Sequence, residues 1–168
     1  LVSGTPPTRM GNAHPNIVPY ESFLTLDGWI AIGVGNDRQW QRLCAVAVWD
    51  DLSIDPRFRT NPLRVKNRHA LVEILTERFM DRAAGEWVEI LLEAGIPCAP
   101  INTVDQVFAD PQVLARDMLV ELPHSTAGSV QFAGSPFKLS RTPGRLESSP
   151  PLLGQHTDDL LGSCLGCD

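Results

Sequence analysis

His14 stands in the run Gly11-Asn12-Ala13-His14-Pro15, a glycine-started polar loop where backbone amides are free to face a ligand. Gly11 frees the backbone at the start of that run, so amides and the imidazole can be turned toward a ligand; Pro15 restricts it at the end. The competing reading is a solvated surface turn. A second cluster, Arg57, Arg59, Arg64, Lys66 and Arg68, surrounds an expected helix start, where guanidinium forks and free amides together suit phosphate. Against that stands the ordinary case of solvated charges flanking a helix. His124 and His156 have no serine or cysteine partner in a nucleophile motif. The aspartates have local work: Asp27 turns a hairpin, Asp37 begins a helix, and Asp55 and Asp110 precede prolines. Cys164-x-x-Cys167 occurs once, without a second pair, and is read as two tail cysteines rather than a metal or redox site.

These groups need a frame. Asp27-Gly28 separates the β-rich runs 18–25 and 29–35, which predicts an antiparallel hairpin directly after the His14 loop. Asn36, with Gln39 three residues on, predicts a capped helix to Ala47. Its Trp40, Leu43, Cys44 and Ala47 share one face, which packs on the hairpin. Asn61-Pro62 opens a helix expected to run to Arg82, with Leu71, Ile74, Leu75 and Phe79 as its buried stripe. A helix over 86–94 stops at Gly95, and Pro97 and Pro100 make 96–101 an extended edge. Short helices over 104–108 and up to Arg116 follow, then strands over 118–122 and 129–132 and a third over 137–139. Residues 141–151 are rich in Pro, Ser and Gly and read as a linker; Thr157 is the expected cap of a last helix.

The composition is that of a globular protein, with 43% hydrophobic and 20% charged residues, in a chain long enough for one substantial core. A net charge of -6 with two lysines argues against nucleic acid and against electrostatic membrane binding, and no apolar run is long enough to span a bilayer. Four cysteines are too few for a disulfide framework, which points to a reducing compartment. Residues 1–10 have neither an initiating Met nor the pattern of a signal peptide and read as linker.

In chain order the sequence carries Gly11-Asn12-x-His14-Pro15, Pro19-Tyr20-x-x-Phe23, Asp27-Gly28, Gly35-Asn36-Asp37-x-Gln39-Trp40, Asp55-Pro56-Arg57-Phe58, Thr60-Asn61 and Arg64-Val65-x-Asn67-Arg68. Then come Gly95-Ile96-Pro97-x-Ala99-Pro100, Asp110-Pro111-Gln112 and Pro151-Leu152-Leu153-Gly154-Gln155-His156-Thr157. Over residues 9–160 this resembles the family III CoA-transferases, and within them most resembles enzymes that use dicarboxylic acids such as succinate and glutarate. The resemblance implies an α+β fold, a two-layer small domain with helices on a small antiparallel sheet, followed by an extended C-terminal arm. The expected division is a linker and loop over 1–15, the small domain over 16–140, and the arm over 141–168. It further implies that Gly11, Asn12, Ala13, His14 and Pro15 form a loop covering the active site. Because the family builds its CoA site mainly from the amino-terminal half, Arg64 and Arg68 of the basic cluster stand only as secondary candidates for contacts to CoA phosphates. The family's catalytic aspartate, which carries acyl and then CoA in turn, belongs to the amino-terminal half of such enzymes, so no catalytic residue and no metal ligand is assigned in this chain. Ala13, His14 and Pro15 stand where the family's loop is richer in glycine, which implies a narrower range of loop motion. The partners implied are an acyl-CoA, a carboxylic acid and a second copy in an interlocked homodimer, with no cofactor beyond CoA as substrate and a cytoplasmic or mitochondrial-matrix setting. The alternatives are a stand-alone binding or assembly module and the corresponding part of a family III acyl-CoA racemase.

Overall fold

A computed structural model describes residue 4, residue 6 and residues 8–166. Cys167 and parts of the expected 1–15 linker lie outside the described residues. The chain divides into two compact units, Leu1–Asn102 and Thr103–Asp168, whereas the sequence suggested divisions at 15/16 and 140/141.

In the first unit, β1 (Tyr20–Leu24) and β2 (Trp29–Gly33) form the expected hairpin, with Phe23 opposite Ile30 and Ser22 opposite Ala31. β3 (Cys98–Pro100) pairs antiparallel with β2 alone, giving the order β1-β2-β3 and making β1 and β3 the edges. Alternation along the strands sends Phe23, Ile30 and Ile32 inward and leaves Tyr20, Leu24, Trp29 and Ile101 on the open face. Gly33 faces Tyr20 across the pair; a Cβ there would stand 3.0 Å from the Tyr20 ring, so glycine lets the ring lie flat on the sheet.

Helices cover the inner face. α1 (Asp37–Ala47) is capped by Asn36, whose side chain accepts from the Gln39 amide, and buries Trp40, Leu43, Cys44 and Ala47 as expected. The Gln39 side chain reaches back one residue further than a capping box requires, accepting from the Gly35 amide at 2.8 Å. α2 (Asp50–Ile54) was not foreseen. The helix expected from Asn61 to Arg82 is two: α3 (Asn61–Lys66) and α4 (Arg68–Phe79), broken at Asn67. α5 (Ala84–Glu93) runs to Gly95, which takes the left-handed conformation at φ 70°. Phe23, Trp49, Phe79 and Trp87 make a contiguous aromatic centre, with ring centroids 4.8 to 5.6 Å apart, and the Trp87 indole donates to the Phe79 carbonyl at 2.9 Å. Each such buried ring is worth about 1.5–3 kcal/mol of transfer free energy, which fixes the face on which β1 rests.

The second unit holds α6 (Val104–Ala109), α7 (Pro111–Ala115) and the hairpin of β4 (Leu119–His124) and β5 (Gly128–Ala133). His124 Nδ1 accepts from the Thr126 and Ala127 amides, closing the turn. The third strand expected over 137–139 does not form: the segment has no strand partner among the described residues. The arm is irregular up to α8 (Thr157–Leu160), which His156 rather than Thr157 precedes as the cap position, and a single wide turn over Leu161–Leu165. The architecture is α+β, with two small antiparallel sheets among the described residues.

Candidate functional site: the 11–15 loop on the edge of β1

β1 is an edge strand, so its outward amides and carbonyls need partners from outside the sheet. The loop supplies them. His14 N donates to the Tyr20 carbonyl at 2.9 Å, and the Ser22 amide donates to Asn12 Oδ1 at 3.2 Å while Asn12 Nδ2 donates to Ser22 Oγ at 2.5 Å. Gly11 reaches this position through φ 63°, a conformation L side chains rarely adopt. The Asn16 amide donates to His14 Nδ1 at 3.1 Å, which fixes the ring's orientation, and the ring lies 5.3 Å from that of Tyr20. Asn12 and Pro15 are exposed; Ala13 and His14 are half-buried.

The far side of the loop is held by α3 and α4. Asn61 Nδ2 donates to the Asn16 carbonyl at 2.8 Å, and Asn61 Oδ1 accepts from the Val18 amide at 3.1 Å. The asparagine expected to cap a helix thus ties the loop to it, and Thr60 takes the cap position. Arg68, at the start of α4, directs Nη2 to the His14 carbonyl at 2.6 Å and to the Pro15 carbonyl at 3.0 Å. Its Nη1 faces Glu21 Oε1 of β1 at 3.6 Å, and neither atom has a hydrogen-bond partner among the described residues. Burial pushes the Glu21 carboxyl above its ordinary range, with Arg68 pulling the other way. The pair lies on one side of a groove of about 800 Å³ whose lining includes Arg9, Met10, Ala13, His69, Val72 and Glu73. On the open sheet face, a hollow of about 190 Å³ lies beside Asn12, Tyr20, Ser22, Ala31 and Ile101.

Of the residues singled out in the sequence, Gly11 to Pro15 and Arg68 come together here. Arg64 does not. Its side chain is 0% exposed, with Nε donating to the Val18 carbonyl at 2.6 Å, Nη1 to the Phe58 carbonyl at 3.0 Å and Nη2 to Asp37 Oδ1 at 2.9 Å. A guanidinium spent in this way is not presented to a phosphate, so the expected CoA contact does not fit its placement; Arg68 likewise uses its fork on loop carbonyls. Glu21, Ser22 and Asn61 were missed as parts of the site. Only the alternation of β1, which sends Glu21 to the inner face beside Phe23, could have flagged a carboxylate there. The Cys44 thiol is buried, and burial pushes its pKa up to about 12. Among the described residues no three His, Cys, Asp or Glu side chains stand together as metal ligands, and none of their helices is long and apolar enough to cross a membrane.

The chain is 39% identical over 95% of its length to human succinyl-CoA:glutarate CoA-transferase, of which it spans 36%. It is 37% identical to succinate--glutarate CoA-transferase of Agrobacterium fabrum over 96% of its length, spanning 40% of that enzyme. A solved CAIB/BAIF family protein from Brucella suis superposes with TM-score 0.82 at 39% identity, covering 95% of this chain and 41% of that one. The chain therefore spans well under half the length of these relatives. Its residues 1–157 match the family model described as CoA-transferase family III, and with that match across nearly its whole length the chain belongs to CoA-transferase family III.

Proposed function

We propose that the chain is the carboxy-terminal part of an acyl-CoA transferase that moves CoA from an acyl-CoA donor such as succinyl-CoA to a dicarboxylic acid. The likeness to two succinate and glutarate CoA-transferases over nearly the whole chain carries this reading. In it, an aspartate outside this chain attacks the thioester carbonyl, forming an acyl anhydride and releasing CoA as the thiolate. The thiolate then attacks the aspartyl carbonyl, the first acid leaves, and the incoming acid reverses both steps. The 11–15 loop contributes cover. Anhydride and aspartyl thioester both hydrolyse in water, so a loop with half-buried Ala13 and His14 that closes on them favours transfer over hydrolysis. A homodimer completes the active enzyme, and CoA enters as substrate with no further cofactor.

The test replaces the matching segment of the Agrobacterium fabrum enzyme with this chain and follows CoA transfer from succinyl-CoA to glutarate. Transfer is expected. A folded chimera that transfers CoA to no dicarboxylic acid overturns the reading. His14→Ala in that chimera should raise hydrolysis relative to transfer while leaving the melting temperature in place; an unchanged ratio removes the loop from the mechanism.

A further inference from the structure

Arg68 and Glu21 are opposite charges at 3.6 Å, with side chains 13% exposed each, yet the facing atoms form no hydrogen bond. A pair that far out of water is favourable only when its donors and acceptors meet well. This one does not, because Nη2 of the same guanidinium is held at 2.6 Å and 3.0 Å by the carbonyls of His14 and Pro15. The loop therefore keeps Arg68 from a closer approach to Glu21. Burial that raises the Glu21 carboxyl is consistent with a carboxylate only partly satisfied in this state. If the two carbonyls move away, the fork is free to turn onto Glu21 as a two-point contact, the geometry guanidinium and carboxylate prefer.

We propose that Arg68 is a positioning residue with two seats: with the loop down it holds the His14 and Pro15 carbonyls, and with the loop lifted it closes onto the Glu21 carboxylate. Glu21 thereby stabilises the lifted state and sets how readily the loop opens. The inference rests on the covering role of the loop only for its consequence in transfer, since the two seats are a property of this chain by itself.

Hydrogen exchange at the His14 and Asn16 amides of the full chain, with a core amide of α4 such as Leu75 as the control for global unfolding, separates the alternatives. Arg68→Lys keeps the charge but loses the fork, and should speed loop exchange roughly tenfold, the scale of a lost charge-assisted hydrogen bond. Glu21→Gln should slow it several-fold, because a neutral amide is a poorer second seat. Opposite signs are the signature, since a static brace would loosen on either change. Faster exchange in Glu21→Gln, or no change, overturns the second seat. Should Arg68→Lys fail to fold, the sign of the Glu21→Gln effect still decides. These rates are read without turnover, so they can fail while the transferase reading stands, and the reverse.

Discussion

Two arginines four positions apart in one sequence motif, Arg64 and Arg68, do different work, and accessibility separates them. Arg64 joins three stretches of chain through the Val18 and Phe58 carbonyls and the Asp37 carboxylate, and its guanidinium lies 5.2 Å over the Trp40 ring. Replacing it with methionine fills the volume but leaves buried acceptors without donors. We expect a loss of about 2–4 kcal/mol in urea unfolding, with loop exchange following global stability. A loss below about 0.5 kcal/mol, the range of ordinary surface changes, would show that the buried fork contributes little. Sequence reading grouped both arginines with Arg57, Arg59 and Lys66 because charge was the visible property. What distinguishes them is that Arg64 shares an inward face with the core while Arg68 sits where the chain restarts after Asn67, and that break is a tertiary feature.

The clearest sequence signals became elements with few changes. The 27–28 turn, the Asn36 cap and the Gly95 stop each act through neighbours a few residues away, so local chemistry suffices to read them. α2, the break at Asn67 and the missing strand at 137–139 have no such signature. Asn67 Nδ2, for instance, donates to the Leu63 carbonyl at 2.9 Å and to the Arg57 carbonyl at 3.1 Å, a contact into the preceding loop that periodicity cannot show. Asp27 has both kinds of role. Besides turning the hairpin it accepts from the Ala84 amide at 2.7 Å, at the start of a helix whose cap position, Ala83, has no side-chain acceptor. The hairpin thus caps α5 from a distance in sequence. Asp27→Ala should lower stability by about 1 kcal/mol, the worth of an N-cap, seen as a lower urea midpoint with an unchanged slope; Asp27→Asn should recover most of it. Equal losses in both variants would mean that the carboxylate's charge, rather than its hydrogen bond, supports the helix.

For the whole molecule, the arm leaves Leu152, Leu153, Leu160 and Leu161 exposed, Leu153 fully at 107%. Exposed leucines gathered on one segment usually mark an interface. We expect light scattering at rising concentration to show self-association, reduced by Leu152→Ser with Leu153→Ser; a strict monomer whose residues 150–161 are strongly protected from exchange would instead mean that the arm folds onto its own chain. A different kind of association is written into β1. Its outer edge is covered by Asn12 and His14 rather than by another strand, so lifting the loop bares the Ser22 amide and the Tyr20 carbonyl as an open β-ladder. Any mobility this loop has is therefore mobility of the guard on an aggregation-competent edge. Variants selected for a freer loop would trade solubility for it.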